Sequence, residues 1–132
     1  MSFSVLASRI QIPSPDVRAL SRACTLANCL SPDHRLALVV AGPGFGKTQW
    51  VAQWARSLDP PPAWLTLGHR EDDAHSLLIY LRAAWKRHHP EQPSEALDNL
   101  LRQGFPPQRW RPAADALGCL LDTDPPRCLI VD

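Results

Sequence analysis

The chain has 132 residues, 45% of them hydrophobic and 20% charged, with 14 Lys+Arg against 13 Asp+Glu. That length holds one domain at most, and the near-neutral balance leaves no basic field for nucleic acid. No apolar run approaches the roughly 20 residues that span a bilayer, and the opening MSFSVLASRIQIPSP lacks a charged start followed by a long apolar core, so a cytoplasmic protein without membrane contact is expected.

In chain order, the spacing of Leu20, Ala23, Cys24, Ala27 and Leu30 predicts a helix within residues 18–30, closed by Ser-Pro-Asp-His. LALVV at 36–40 reads as a short buried strand. The stripe of Trp50, Val51, Trp54, Ala55 and Leu58 predicts an amphipathic helix over 47–58, ended by Asp-Pro-Pro-Pro. AWLTL at 63–67 suits a second strand. A helix over 72–89 follows, with an aspartate-rich start and a basic end that match the helix dipole. Two further helices are expected near 94–103 and 109–121, and RCLIVD closes the chain as a third strand. The 14 prolines fall between these segments, where they mark joints. Strand, helix, strand, helices, strand is the order of an α/β domain with parallel strands. The expected division is a lead-in and helix over 1–34 and a partial α/β domain over 35–132.

The stretch from 41 to 49 carries the chemistry. Phosphate is held by backbone N–H groups aimed from a tight loop that opens a helix, and side chains would block that approach. Gly42, Gly44 and Gly46 remove them, Pro43 stiffens the turn, and Phe45 and Gln49 complete the loop. Lys47 offers a charge to the β/γ-phosphates, and the Thr48 hydroxyl can ligate Mg²⁺. The pattern is that of a Walker A loop with Ala41 where the first glycine usually stands. Asp132, at the carboxyl end of an apolar run, is the matching candidate to hold Mg²⁺ through water. No catalytic residue is assigned.

Other groups read more plainly. His88 and His89 are adjacent and splay apart on a helix, which favours a solvated basic end over a metal site. Asp72 and Asp73 suit helix capping. Trp50, Trp54, Trp64 and Trp85 suit a core. Cys24, Cys29, Cys119 and Cys128 lack zinc spacing and read as reduced, mostly buried thiols.

With GPGFGKT followed by QWA, AWLTL, DD and a late CLIVD, the chain resembles the MalT-like branch of the STAND NTPases, the ATP-binding region of many LuxR-type transcriptional regulators. The resemblance spans nearly the whole chain. It implies a P-loop NTPase-like parallel sheet in a three-layer α/β/α arrangement, here incomplete with about three strands and cut after the Walker B strand. It also implies an ATP/ADP and Mg²⁺ site in a signalling switch, with Lys47 and Thr48 on phosphate and metal and Asp132 as the Walker B acid. Gln49 stands where a second threonine is common.

The expected partners are nucleotide and, through an unpaired sheet edge, self-association or a regulatory protein. DNA contact is expected only from a C-terminal domain that this segment does not contain. The water-activating acid usually follows the Walker B aspartate, so binding without efficient hydrolysis is expected of a fragment ending at Asp132. The alternative is a degenerate NTPase remnant working as a protein-interaction module.

Overall fold

The computed structural model describes residues 4–14, 16–31, 33–34, 36–68, 73–123, 125 and 127–132. It is mixed α/β, with α1 (Ala23–Cys29), α2 (Lys47–Ser57), β1 (Ala63–Leu65), α3 (Ala74–His88), α4 (Glu95–Gln103), α5 (Trp110–Leu121) and β2 (Leu129–Val131). Two compact units divide the chain: Ile12–Pro61, and Met1–Gln11 with Pro62–Asp132.

In the second unit β1 and β2 pair in parallel, Ala63 opposite Leu129 and Leu65 opposite Val131. Parallel strands need a long crossover, and α3, α4 and α5 supply it. Ala63 and Leu65 point to one face of the sheet and Trp64 to the other. All three are fully buried. Ala63, Leu78, Trp85, Leu97, Ala113, Ala116 and Leu120 form the main core, and Leu65, Tyr80, Leu81 and Ala84 a second cluster. The 3-10 turn Ala7–Ile10 packs on β1, where the Thr66 N–H donates to the Arg9 carbonyl at 2.8 Å.

α3 starts where a capping residue predicts it. The Asp73 carboxylate accepts the Ser76 N–H at 2.8 Å and the Ser76 hydroxyl at 2.7 Å, which satisfies a donor the first turn leaves open. These bonds, the backbone N–H first, hold the Asp73 carboxyl below its ordinary value. Asp72 lies outside the described residues. α3 and α4 are tied by Arg82 and Asp98, whose hydrogen bond lowers the Asp98 pKa.

The other unit departs from expectation. Among the described residues the sheet has two strands rather than three, and 36–40 lies outside it. Leu36, Leu38 and Val40 are exposed. Their composition favours a strand, but a strand exists only with a ladder partner, and the described residues give this run none. The first helix is also shorter than its apolar spacing implies. Asp16 turns the chain, its side chain accepting the Arg18 N–H at 2.9 Å and its carbonyl the Ala19 N–H at 3.0 Å, so helix begins only at Ala23. Leu20 is exposed and, among the described residues of α1, Leu26 is the buried one. In α2 the buried positions are Ala52 and Ala55, with Trp50 and Trp54 half-buried.

Three readings of single residues are corrected. His89 is not a solvated end: it is buried, packed against Trp85 with ring centroids 4.6 Å apart and the rings tilted by 45°, and burial lowers its pKa. Cys29 and Cys119 are exposed thiols rather than buried ones, because each sits on the outer side of its helix. Cys128 is half-buried, which raises its pKa. Of the tryptophans, Trp64 and Trp85 are true core residues.

Candidate functional site

The glycine loop is built by backbone conformation. Residues 43–45 form a turn, and Gly44 and Gly46 take φ of 80° and 73°, a left-handed region that side chains disfavour. Gly46 is the N-cap of α2 and has no side chain to close the helix end. Its carbonyl accepts the Trp50 N–H at 3.0 Å, the first bond of the helix. The first turn of α2 contains no acidic residue, so the positive end of the helix dipole is not neutralised from within the helix.

Lys47, the first residue of α2, folds back over this turn. Its ammonium donates to the Ala41 carbonyl at 2.7 Å and to the Gly42 carbonyl at 2.9 Å. The result is a small ring, closed by a cation, in front of a helix N-terminus. An oxyanion placed there meets one charged donor and the N–H groups that any helix leaves open in its first turn. Thr48, next in the helix, is half-buried, and Phe45 at the loop crest is 71% exposed.

Gly42 through Gln49 are thus brought together in one turn and one helix start. Asp132 belongs to the other unit, where it extends β2. Its N–H donates to the Leu65 carbonyl and its own carbonyl accepts the Leu67 N–H, both at 2.8 Å, and the residue is exposed. Among the described residues no cluster of three or more His, Cys, Asp or Glu side chains could by itself hold a metal.

The structure adds residues that the motif does not contain. Along α2, Gln49, Gln53 and Arg56 hold the main chain of the lead-in. The Gln49 side-chain oxygen accepts the Asp16 N–H at 3.2 Å. Gln53 accepts the Arg22 N–H at 2.8 Å and donates to the Leu20 carbonyl at 2.9 Å. Arg56 donates to the Ile12 and Pro13 carbonyls, and the Trp50 indole N–H to the Arg22 carbonyl at 3.0 Å. Ile12, Pro13, Asp16, Leu20 and Arg22 are thus strapped by their main chain along the helix that leaves the glycine loop. The signal was present in the sequence: 49, 53 and 56 are one polar stripe at helical spacing.

Comparison of the chain with protein-family models, with curated proteins and with solved structures found no match. Among the described residues no helix is long and apolar enough to cross a membrane.

Proposed function

We propose that the chain is a P-loop-type module that binds ATP or ADP with Mg²⁺, the nucleotide-binding part of a signalling ATPase or transcriptional regulator. The observation that carries this reading is the loop from Gly42 to Lys47. Two glycines at positive φ lead directly into a helix start, and a lysine ammonium spans the loop carbonyls. Lys47 contacts the β/γ-phosphates, the loop N–H groups cradle them, and Thr48 offers its hydroxyl to Mg²⁺. The regulatory role rests on the resemblance alone.

Isothermal titration with ATP and with ADP, each with and without Mg²⁺, tests the site. Lys47→Ala should weaken binding at least about tenfold, a loss of about 1.4 kcal/mol, with the fold unchanged by circular dichroism. Equal affinity of the wild type and Lys47→Ala would remove the assignment.

A second reading, an interaction module descended from an NTPase, is favoured by one observation: Leu36, Leu38 and Val40 are exposed immediately before the loop. Absence of nucleotide binding by the folded chain, with self-association retained, would support it.

A further inference from the structure

The turn between α3 and α4 has little backbone bonding of its own. Pro90 and Pro93 lack N–H groups, and its bonds are the His89 N–H to the Trp85 carbonyl at 3.0 Å and the Gln92 N–H to the His89 carbonyl at 3.1 Å. Side chains supply the rest. The Lys86 ammonium donates to the Pro90 carbonyl at 2.8 Å and to the Gln92 carbonyl at 2.6 Å. The His89 ring, 9% exposed, closes the end of the core against Trp85.

This seat suits a neutral imidazole. Among the described residues the His89 ring forms no hydrogen bond, and the Trp85 indole N–H beside it has no acceptor. Protonation would add a further donor and a charge. Burial first, and then Arg127 in the segment before β2, disfavour the charged ring, while Glu91 in the turn favours it; the balance holds the His89 pKa below its ordinary 6.5. His88, next to it on α3, is also held below 6.5, by burial and then by Arg87 and His89. Cys128, beside Arg127 in the chain, is raised by burial and stays a neutral thiol in this range.

We propose that His89 is a proton-operated latch on the turn 89–93: neutral, it closes the end of the core against Trp85, and protonated, it leaves that seat and lets the turn open. The turn forms one wall of an open groove of about 410 Å³ lined by Gln92, Leu97, Cys119 and Leu120, so its release changes access there. All of these groups lie in the unit of Met1–Gln11 and Pro62–Asp132, and the latch does not depend on the glycine loop taking nucleotide. Opening frees the imidazole to titrate at 6.5, so between the folded pKa and 6.5 the open form binds more protons than the closed one. The closed turn is therefore favoured in full above 6.5 and loses that advantage as pH falls through the window.

Proton NMR of the whole chain, titrated from about pH 8 to about pH 5, reads both sides of this linkage. The assigned His89 ring signal should have a midpoint below 6.5. Protection of the Gln92 amide against hydrogen exchange, corrected for the intrinsic rate, should fall at least about threefold across the range, with the amides of Ala84 and Leu120 unchanged. His89→Gln should make the Gln92 protection independent of pH there, and His88→Gln should leave the fall in place. Should His89→Gln not fold, the wild-type titration together with His88→Gln decides. A His89 midpoint at or above 6.5, flat Gln92 protection in the wild type, a fall that survives in His89→Gln or vanishes in His88→Gln, or equal losses at Ala84 and Leu120 would each overturn the proposal.

Discussion

The unit formed by Ile12–Pro61 and the unit formed by Met1–Gln11 with Pro62–Asp132 are held together by different means. In the latter, Trp64, Trp85, Leu65, Leu97 and Leu120 are fully buried, and the helices between β1 and β2 are placed by what they cover. In the former, the buried apolar residues among those described are Leu26, Ala52 and Ala55, while Val17, Leu20, Leu36, Leu38, Val40 and Phe45 stand exposed. Its order comes from glycine conformation and from side chains of α2 that hold the lead-in backbone.

Burying a large apolar side chain contributes about 1.5–3 kcal/mol, whereas a hydrogen bond adds about 0.5–1.5 kcal/mol net. The glycine-loop unit is therefore the softer of the two and should open first in hydrogen exchange. The glycine loop does not need a large core, because its shape is set by φ at two glycines and by a helix start.

The largest expected effect tests the core side of this contrast. Leu97→Ala should cost about 2–5 kcal/mol in urea unfolding, since Leu97 is wholly buried between helices. Leu20→Ala, in the other unit, should stay within about 0.5 kcal/mol because Leu20 is 74% exposed. Comparable losses from the two would erase the distinction.

Gly46→Ala attacks the loop through its backbone. No heavy atom lies within 4 Å of the added Cβ, so the change acts through φ alone, at about 1–2 kcal/mol. It should weaken nucleotide binding while leaving exchange protection of α3 and α5 intact. A wild-type affinity in this variant would show that the left-handed turn is not what holds the ligand.

Asp73→Ala removes the cap of α3 and should cost about 1 kcal/mol. The pH dependence has a definite sign. Asp73 and Asp98 both have folded pKa values below the ordinary 3.8, the first through the Ser76 N–H and the second through Arg82. A depressed pKa gives stability that is present above 3.8 and lost as pH falls through the folded value. Acid titration of stability should thus be shallower in Asp73→Ala than in the wild type.

Gln53→Ala is the mildest change, below about 1 kcal/mol. It should raise hydrogen exchange selectively at Leu20 to Arg22, and an unchanged exchange pattern would mean that the strap is not held by Gln53.

Much of the helical body was legible. The expected helices at 72–89, 94–103 and 109–121 are present as Ala74–His88, Glu95–Gln103 and Trp110–Leu121, and the strands at 63–67 and 127–132 as Ala63–Leu65 and Leu129–Val131. Proline clusters and a capping aspartate mark these ends by local chemistry. The glycine loop was legible for the same reason, since Gly44, Gly46 and the helix start at Lys47 are local features. The strap was less so, because a polar stripe on a helix ordinarily faces water and nothing within α2 says that it holds the main chain of Ile12, Pro13, Asp16, Leu20 and Arg22.

The sequence by itself determined the order of elements, the caps, the bare loop and the position of Lys47, because each depends on neighbours within a turn of chain. Tertiary structure decided which apolar faces are covered. It buried Leu26 rather than Leu20, added Ala52 to the expected Ala55 while leaving Trp50 and Trp54 half-buried, and set His89 against Trp85. It also left 36–40 without a ladder while pairing β1 with β2. Periodicity reports that a face is apolar, but burial and strand pairing need a partner distant in sequence, and only the folded chain supplies one.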